Sequence, residues 1–320
     1  MNEINVILQD EYDLKVKNIS SATGGLSALA YKVDSDKGMF WLKQYRKKKI
    51  NTINQLTKID LCMNVAIWLE NNTGLKGKIN VPILTKQNKV RAQTHNNDYL
   101  LFSYINGTVP QTTPLTTHQQ EEIAEIAGEL HQHGANIPYD FSSIKETYNI
   151  PCSEILNAPH KPNDSFCVYR EYDVLMRAVD KAFYQAEQIR AKKLPFVICH
   201  ADIHGWNLIQ SDRIILIDWE SIKFAPAETD LYTFWGDWCW GDSNWGSYWN
   251  LFFPAYLRSR PDFIVCEEAL KFYQLRRHIE DIEEFYKEYI YDDIPENEKR
   301  EIEVHLEREI KFLKIIMQLL

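Results

Sequence analysis

The sequence predicts an α+β fold of two lobes: a small, antiparallel, β-rich N-lobe over residues 1–105 and a larger, mainly helical C-lobe over residues 106–320. Three observations carry that prediction. Turn-forming clusters separate short apolar runs through the first hundred residues, apolar residues recur at helical spacing through most of the chain beyond Pro110, and loop signals around Asn106–Pro114 divide the two regimes.

Within the N-lobe, Ser21–Gly25 reads as a turn and Leu29–Val33 as a strand. A second turn, Asp34–Gly38, leads into a strand over Met39–Tyr45, so the two strands close a hairpin. Ile59, Met63, Ala66 and Ile67 mark a helix from about residue 53 to 71, and a strand pair around Asn80–Leu84 and Tyr99–Tyr104 completes the lobe. In the C-lobe, Thr117 and Gln120 have capping-box spacing ahead of the stripe Ile123, Ile126, Ala127 and Leu130, which ends before Gly134. A compact hairpin is expected over Phe196–Asp218. Ile302, Leu306, Ile310 and Leu313 give the last segment, Glu296–Leu320, the pattern of an amphipathic closing helix.

Bulk composition narrows the function classes. With 320 residues, of which 45% are hydrophobic and 25% charged, the chain is long enough for two lobes with their own cores. No stretch approaches the roughly 20 apolar residues that span a bilayer. The first residues carry acids where a secretory signal carries basic groups, so a cytoplasmic protein without a membrane partner is expected. A net charge of -9 argues against nucleic acid as the main partner and is compatible with a cationic small molecule. Six cysteines are scattered without CxxC spacing and read as reduced thiols. A monomer or homodimer is expected.

The chemistry concentrates between Ile198 and Glu220. Two short apolar strands, joined by a polar turn at Ser211–Arg213, are bounded by polar residues: Asp202 and Asn207 precede the first strand and Asp218 ends the second. A hairpin brings those ends together although Asp202 and Asp218 stand sixteen positions apart. One amide and two carboxylates suit phosphoryl transfer, where catalysis is mainly positioning and charge neutralisation by Mg²⁺. Mg²⁺ takes hard oxygen ligands and keeps some waters, so Asn207 and Asp218 suffice, leaving Asp202 to accept or orient the proton of an attacking hydroxyl. A rival assignment makes His200, Asp202, His204 and Asp218 a dinuclear metal-hydrolase cluster, since imidazole and carboxylate suit transition metals. That assignment gives Asn207 and the N-lobe no role.

His200-x-Asp202-x₄-Asn207, followed by Ile217-Asp218-Trp219-Glu220, resembles the catalytic loop and metal motif of the aminoglycoside phosphotransferase and choline kinase superfamily. The resemblance implies a protein-kinase-like version of the bilobal fold, with Asp202 as catalytic base, His200 supporting the loop, and Asn207 and Asp218 holding Mg²⁺. Where the family usually has Gly between His and Asp, this chain has Ala201. Pro226-x₃-Asp230-Leu231 and Leu130-His131 match further family elements and are read as structural.

On the nucleotide side, Trp41 and Lys43 share one face of their strand by period-two alternation. Lys43 resembles the strand lysine that meets the nucleotide's α- and β-phosphates, with Asp60 on the next helix as its expected acidic partner. Gly24, Gly25 and Ser27 lie in a turn similar to the family's phosphate-covering loop. Leu100–Gly107 resembles the hinge, where the backbones of Ser103 and Ile105 would meet a purine edge. ATP or GTP and Mg²⁺ are the implied cofactors.

For the acceptor, the Trp- and Asp-rich segment Phe234–Trp249 follows the catalytic hairpin, and Asp237 and Asp242 are the expected substrate-side acids. Glu280, Asp281, Glu283 and Glu284 read as an acidic helix face, with Glu280 as the third substrate contact. Arg276–Ile282 is similar to a segment of spectinomycin-type phosphotransferases. An aminoglycoside or aminocyclitol of the kind inactivated in antibiotic resistance is therefore the expected acceptor. Choline, homoserine and methylthioribose are the alternatives, and a kinase-like binder without turnover is the alternative of another class.

Overall fold

The computed structural model describes residues 2–22, 28–110, 115–134, 136–235 and 247–319. It opens with helix α1 (Asn2–Tyr12), which the sequence pattern did not reveal, and continues into an antiparallel sheet. The sheet comprises β1 (Val16–Ala22), β2 (Leu29–Ser35), β3 (Gly38–Arg46), β4 (Pro82–Ile83), β5 (Ala92–Gln93) and β6 (Asn97–Ser103). Its strand order is β1-β2-β3-β6-β4, with β5 also on β6. Helix α2 (Ile50–Asn72) connects β3 to β4.

Alternation along β3 and β6 divides the apolar residues between two cores. Leu42, Tyr99 and Leu101 face a small core with Ile4, Leu8 and Tyr12 of α1. Tyr45, Leu100 and Phe102 join Ile59, Met63 and Ala66 of α2 in the main core. Lys43 stands opposite Leu100 and between Trp41 and Tyr45, so the α2 side of the sheet carries the lysine into the molecule.

After β6 the chain becomes mainly helical. It runs through α3 (Thr117–Leu130), α4 (Ser153–Asn157), α5 (Cys167–Arg170) and α6 (Tyr172–Lys192). The last four helices are α7 (Glu228–Trp235), α8 (Ser247–Ser259), α9 (Glu267–Tyr291) and α10 (Glu296–Leu319). The capping box of α3 is Thr116 with Gln119, one residue earlier than the spacing predicts, because Thr116 keeps the extended backbone a cap requires. Among the described residues no helix is long and apolar enough to cross a membrane.

The expected single hairpin over Phe196–Asp218 is instead two small sheets. Strand β7 (Val197–Cys199) pairs with β10 (Lys223–Ala225), while β8 (Leu208–Gln210) pairs with β9 (Ile214–Leu216). The loop holding Asp202 therefore runs from one ladder to the other and is fixed at both ends. The segment after β6 is stitched to β8 by Thr108 and Gln210, whose backbones exchange hydrogen bonds of 3.0 and 2.7 Å. Gly107 permits this approach: a Cβ there would lie 2.4 Å from the Gln210 carbonyl oxygen.

Candidate active site

The Asp202 loop is positioned by a buried polar network beneath it. Asp230, at the start of α7, accepts the backbone N–H groups of His200 (2.8 Å) and Ala201 (2.6 Å). Its Oδ2 also meets His131 Nε2 at 3.0 Å, and His131 Nδ1 meets the Tyr256 hydroxyl at 2.9 Å. Both Asp230 and His131 are buried, so the bonds replace water that neither group can reach. Ala201 sits in the left-handed region at φ 63°, which explains why a glycine suits this position.

His200 is fully buried. Its Nε2 lies 2.9 Å from the Ile217 carbonyl oxygen and its ring packs edge-on to Trp219 at 4.7 Å. The side chain therefore ties the Asp202 loop to the segment carrying Asp218, and is a positioning group.

Asp202 and Asn207 meet directly. Asn207 Nδ2 donates to both the carbonyl oxygen and Oδ2 of Asp202, each at 2.8 Å. Trp206 N donates to His204 Nδ1 at 3.2 Å, and His204 Nε2 lies 3.4 Å from Asp202 Oδ1 and 3.2 Å from Asn207 Nδ2. That same Oδ1 accepts from Arg277 Nη1 of α9 at 2.8 Å. Burial opposes ionisation of Asp202, but Arg277 and then His204 outweigh it and hold the carboxyl well below the usual range.

The second carboxylate is built differently. Asp218 follows β9 with φ 68° and starts a 3₁₀ turn over Trp219–Ser221. Lys43 Nζ reaches Asp218 Oδ1 at 2.8 Å and Glu220 Oε1 at 2.7 Å, and the Tyr45 hydroxyl donates to the same Glu220 oxygen. Burial works against the Lys43 charge, yet the two acids raise the ammonium's pKa. Burial, followed by repulsion from Glu220 and Asp202, raises Asp218 against the pull of Lys43.

These contacts decide what the donor set can hold. Asn207 turns its amide nitrogen to Asp202, so its Oδ1 is available; Asp218 commits Oδ1 to Lys43 and keeps Oδ2. An amide oxygen and a carboxylate oxygen are hard donors suited to Mg²⁺. The hydrolase arrangement is not assembled: among the described residues, the ligand atoms of His200, Asp202, His204 and Asp218 do not converge at metal-binding spacing. The one cluster of His, Cys and acid side chains at metal-ligand spacing among the described residues is His131, Cys199 and Asp230. Its carboxylate already accepts the bonds that hold the Asp202 loop.

Several expected residues are placed otherwise. Asp60 does not reach Lys43: it faces outward on α2 and pairs with Arg91 Nη2 at 2.9 Å, while Lys43 takes Asp218 and Glu220. Its short side chain, on a helix position turned from the sheet, cannot bridge that gap. The four acids of α9 do not form one open acidic face. Glu280 pairs with Arg276 Nε at 2.7 Å and is held down to about 2, with Arg276 and Lys223 overriding the opposition of burial. Asp281 pairs with Arg277 at 2.9 Å. Glu283 is fully buried and caps α4, accepting Ser153 Oγ, Glu154 N and Ile155 N at 2.8 to 3.1 Å. Glu284 alone of the four forms no ion pair among the described residues. Glu284 is exposed to solvent, yet the protein packed around its carboxyl, and then repulsion from Asp281, raise it, with Glu280 and Asp202 adding to the rise.

Ser103 ends β6, with its carbonyl accepting from Asn80 Nδ2 at 3.3 Å, and Ile105 lies two residues beyond. Trp41 packs 6.5 Å from Tyr104 beside this segment. Gly24, Gly25, Ser27, Asp237 and Asp242 lie outside the described residues. Sequence reasoning missed Arg277, Glu220 and Tyr45 as members of the site. Only the basic pair Arg276-Arg277 ahead of acids four residues on signalled any ion-pairing on α9.

A family model described as the phosphotransferase enzyme family matches residues 18–261, and the chain belongs to that family. The fold and the match together define a small-molecule phosphotransferase of the aminoglycoside phosphotransferase and choline kinase superfamily. Among solved structures, a spectinomycin phosphotransferase in complex with ADP and spectinomycin superposes with a TM-score of 0.74 at 19% identity, covering 99% of this chain and 98% of that one. A microcompartment-associated aminopropanol kinase gives 0.70 at 14% identity, covering 99% and 97%. The choline kinase of Streptococcus pneumoniae gives 0.65 at 17%, covering 98% of each chain. No curated protein matches the sequence.

Proposed function

We propose that this phosphotransferase moves the γ-phosphoryl group of ATP to a hydroxyl of a small, cationic, hydroxylated molecule of the aminoglycoside or aminocyclitol class. The observation that carries the reading is a pair of 2.8 Å contacts, Lys43 with Asp218 and Asn207 with Asp202, whose segments are joined by the backbone hydrogen bond from Ile217 N to the Asn207 carbonyl oxygen at 2.9 Å. In this reading residues 1–105 bind the nucleotide and 106–320 supply catalysis and the acceptor pocket. Lys43 meets the phosphates, Trp41 and the backbones of Ser103 and Ile105 receive the purine of ATP or GTP, and Gly24, Gly25 and Ser27 cover the phosphates. Asn207 and Asp218 hold Mg²⁺, which neutralises charge on the triphosphate. Asp202, kept anionic by Arg277, accepts the hydrogen bond of the attacking hydroxyl and aligns it.

Acceptor specificity follows from charge. Glu280 is neutralised by Arg276, so Glu284, with Asp237 and Asp242, is the carboxylate set proposed to receive an ammonium group. A second reading keeps the chemistry and changes the acceptor to a simple amino alcohol. It is favoured by the likeness to an aminopropanol kinase and a choline kinase, whose named substrates are amine-bearing alcohols. The proposed setting is the cytoplasm, as a monomer or homodimer, where such an activity would confer resistance.

The test is Mg²⁺-dependent ATP consumption by the purified protein against aminoglycosides, spectinomycin, choline, aminopropanol, homoserine and methylthioribose. Turnover with one aminocyclitol or aminoglycoside is expected. Turnover with choline or aminopropanol alone selects the second reading, and absence of nucleotide binding contradicts both.

A further inference from the structure

Helix α2 runs along the sheet beside Lys43, yet it offers the lysine no carboxylate. Its buried residues are Thr52, Ile59, Cys62, Met63, Val65, Ala66 and Leu69. Its two acids are engaged elsewhere: Asp60 with Arg91, and Glu70 with the backbone N–H of Gly77 at 3.1 Å. Cys62 approaches the turn that follows β9, with Sγ 4.0 Å from the Ile222 carbonyl oxygen. Lys43 is nonetheless tightly held. Its side chain is 13% exposed, Glu220's is 4% exposed, and their charged atoms lie 2.7 Å apart. Tyr45, two residues along β3 and so on the same face, donates its hydroxyl to the oxygen that Lys43 uses.

We infer that Glu220, braced by Tyr45, is the positioning residue for Lys43, fixing its ammonium where the nucleotide's phosphates would lie. The turn that carries Glu220 is itself anchored. Trp219 is buried and donates its indole N–H to the Leu216 carbonyl oxygen at 3.1 Å, and its ring packs against His200. Asp218 opens the same turn, so the residue that positions the lysine and the carboxylate proposed to hold Mg²⁺ share one anchored turn. None of the groups that hold the Lys43 ammonium comes from α2. The inference rests on the reading of Lys43 as a phosphate-binding residue.

Titration calorimetry of the full chain with Mg²⁺ and AMP-PNP tests it, using Lys43→Met, Glu220→Gln, Tyr45→Phe and the Lys43→Met/Glu220→Gln double variant. Lys43→Met and Glu220→Gln are each expected to weaken binding roughly 10- to 100-fold, the range of one charge-assisted hydrogen bond. The double variant is expected to be no weaker than the worse single variant within about twofold, since both act through one contact. The Mg²⁺ concentration for half-maximal binding stays unchanged in Glu220→Gln. Tyr45→Phe, which removes only a hydroxyl, weakens binding by about three- to tenfold and carries the test if Glu220→Gln does not fold by circular dichroism.

Additive losses with a raised Mg²⁺ requirement would overturn the inference and make Glu220 a metal ligand. Wild-type affinity in Glu220→Gln or Tyr45→Phe, beside a loss in Lys43→Met, would overturn it as well. Wild-type affinity in Lys43→Met contradicts the nucleotide reading beneath it.

Discussion

Two basic residues each hold one of the paired carboxylates of this site, and the pairs behave in opposite ways. Arg277, from α9, meets Asp202 at 2.8 Å; Lys43, from β3, meets Asp218 at the same distance. Asp202 has its cation backed by His204, and its carboxyl is held well below the usual range. Asp218 must share Lys43 with Glu220, and burial together with that neighbour's charge raises it. Arg277 also pairs with Asp281 at 2.9 Å, so each cation is shared by two carboxylates, and what sets Asp202 apart is the His204 ring 3.4 Å from its Oδ1. The Asp218 cluster has two carboxylates on one ammonium, and its raised carboxyl gains from a further cation. In the proposed function these opposite shifts fit Asp218 to Mg²⁺ and Asp202 to the hydrogen bond of the acceptor hydroxyl.

The greatest loss should come from the Asp202 pair. Asp202→Ala lowers turnover by about 10²- to 10⁴-fold, the range of a positioned proton acceptor, in steady-state assays at saturating Mg²⁺ and ATP. Next in size, Arg277→Met leaves Asp202 partly buried without its cation and reduces kcat roughly tenfold or more, with a smaller change in the KM for ATP. Arg277→Lys restores part of the rate, and equal rates in the two variants would deny Arg277 any role in holding Asp202.

The direction of each pKa shift separates the carboxyls further through pH. Asp202 has a folded pKa below its unfolded value of roughly 3.9, so its contribution to stability is present above that pH and lost as pH falls through the folded value. Thermal melts should therefore show no Asp202-dependent loss between pH 5 and 8 on comparing the wild type with Asp202→Asn. Glu284 runs the other way: its carboxyl is raised above the unfolded value of roughly 4.3, so a contribution that solvent screening keeps small is present below that value and lost as pH rises through the folded one. As Glu284 ionises it gains affinity for an ammonium, so the acceptor KM falls as pH rises through the folded value, and Glu284→Gln flattens that trend.

A much smaller change is expected in the loop backbone. Ala201 holds φ 63°, and Ala201→Gly removes that strain while adding freedom to the unfolded chain. Urea melts should show a gain of no more than about 1 kcal/mol with kcat unchanged.

The division between what was legible in the sequence and what was not follows chain distance. Asp202, Asn207 and Asp218 lie within one local stretch whose strands and turn set their meeting, so residue types and spacing placed them. Lys43 was legible because period two fixes a strand's faces. Glu220 reaches Lys43 across 177 positions and Arg277 reaches Asp202 across 75, and no local pattern encodes either. The α9 acids were read as one face because helical spacing groups them, but spacing does not report burial, and Glu283 lies inside the protein capping α4. The pairing of β7 with β10 was hidden for the same reason, since its two strands flank the whole catalytic stretch.

The divided roles of the two carboxylates are best tested by calorimetric binding of AMP-PNP in Mg²⁺ to Asp202→Ala and Asp218→Ala side by side. Affinity within about twofold of wild type is predicted for Asp202→Ala, and loss of Mg²⁺-dependent binding for Asp218→Ala. Equal losses in both variants, or intact Mg²⁺-dependent binding in Asp218→Ala, would contradict that division.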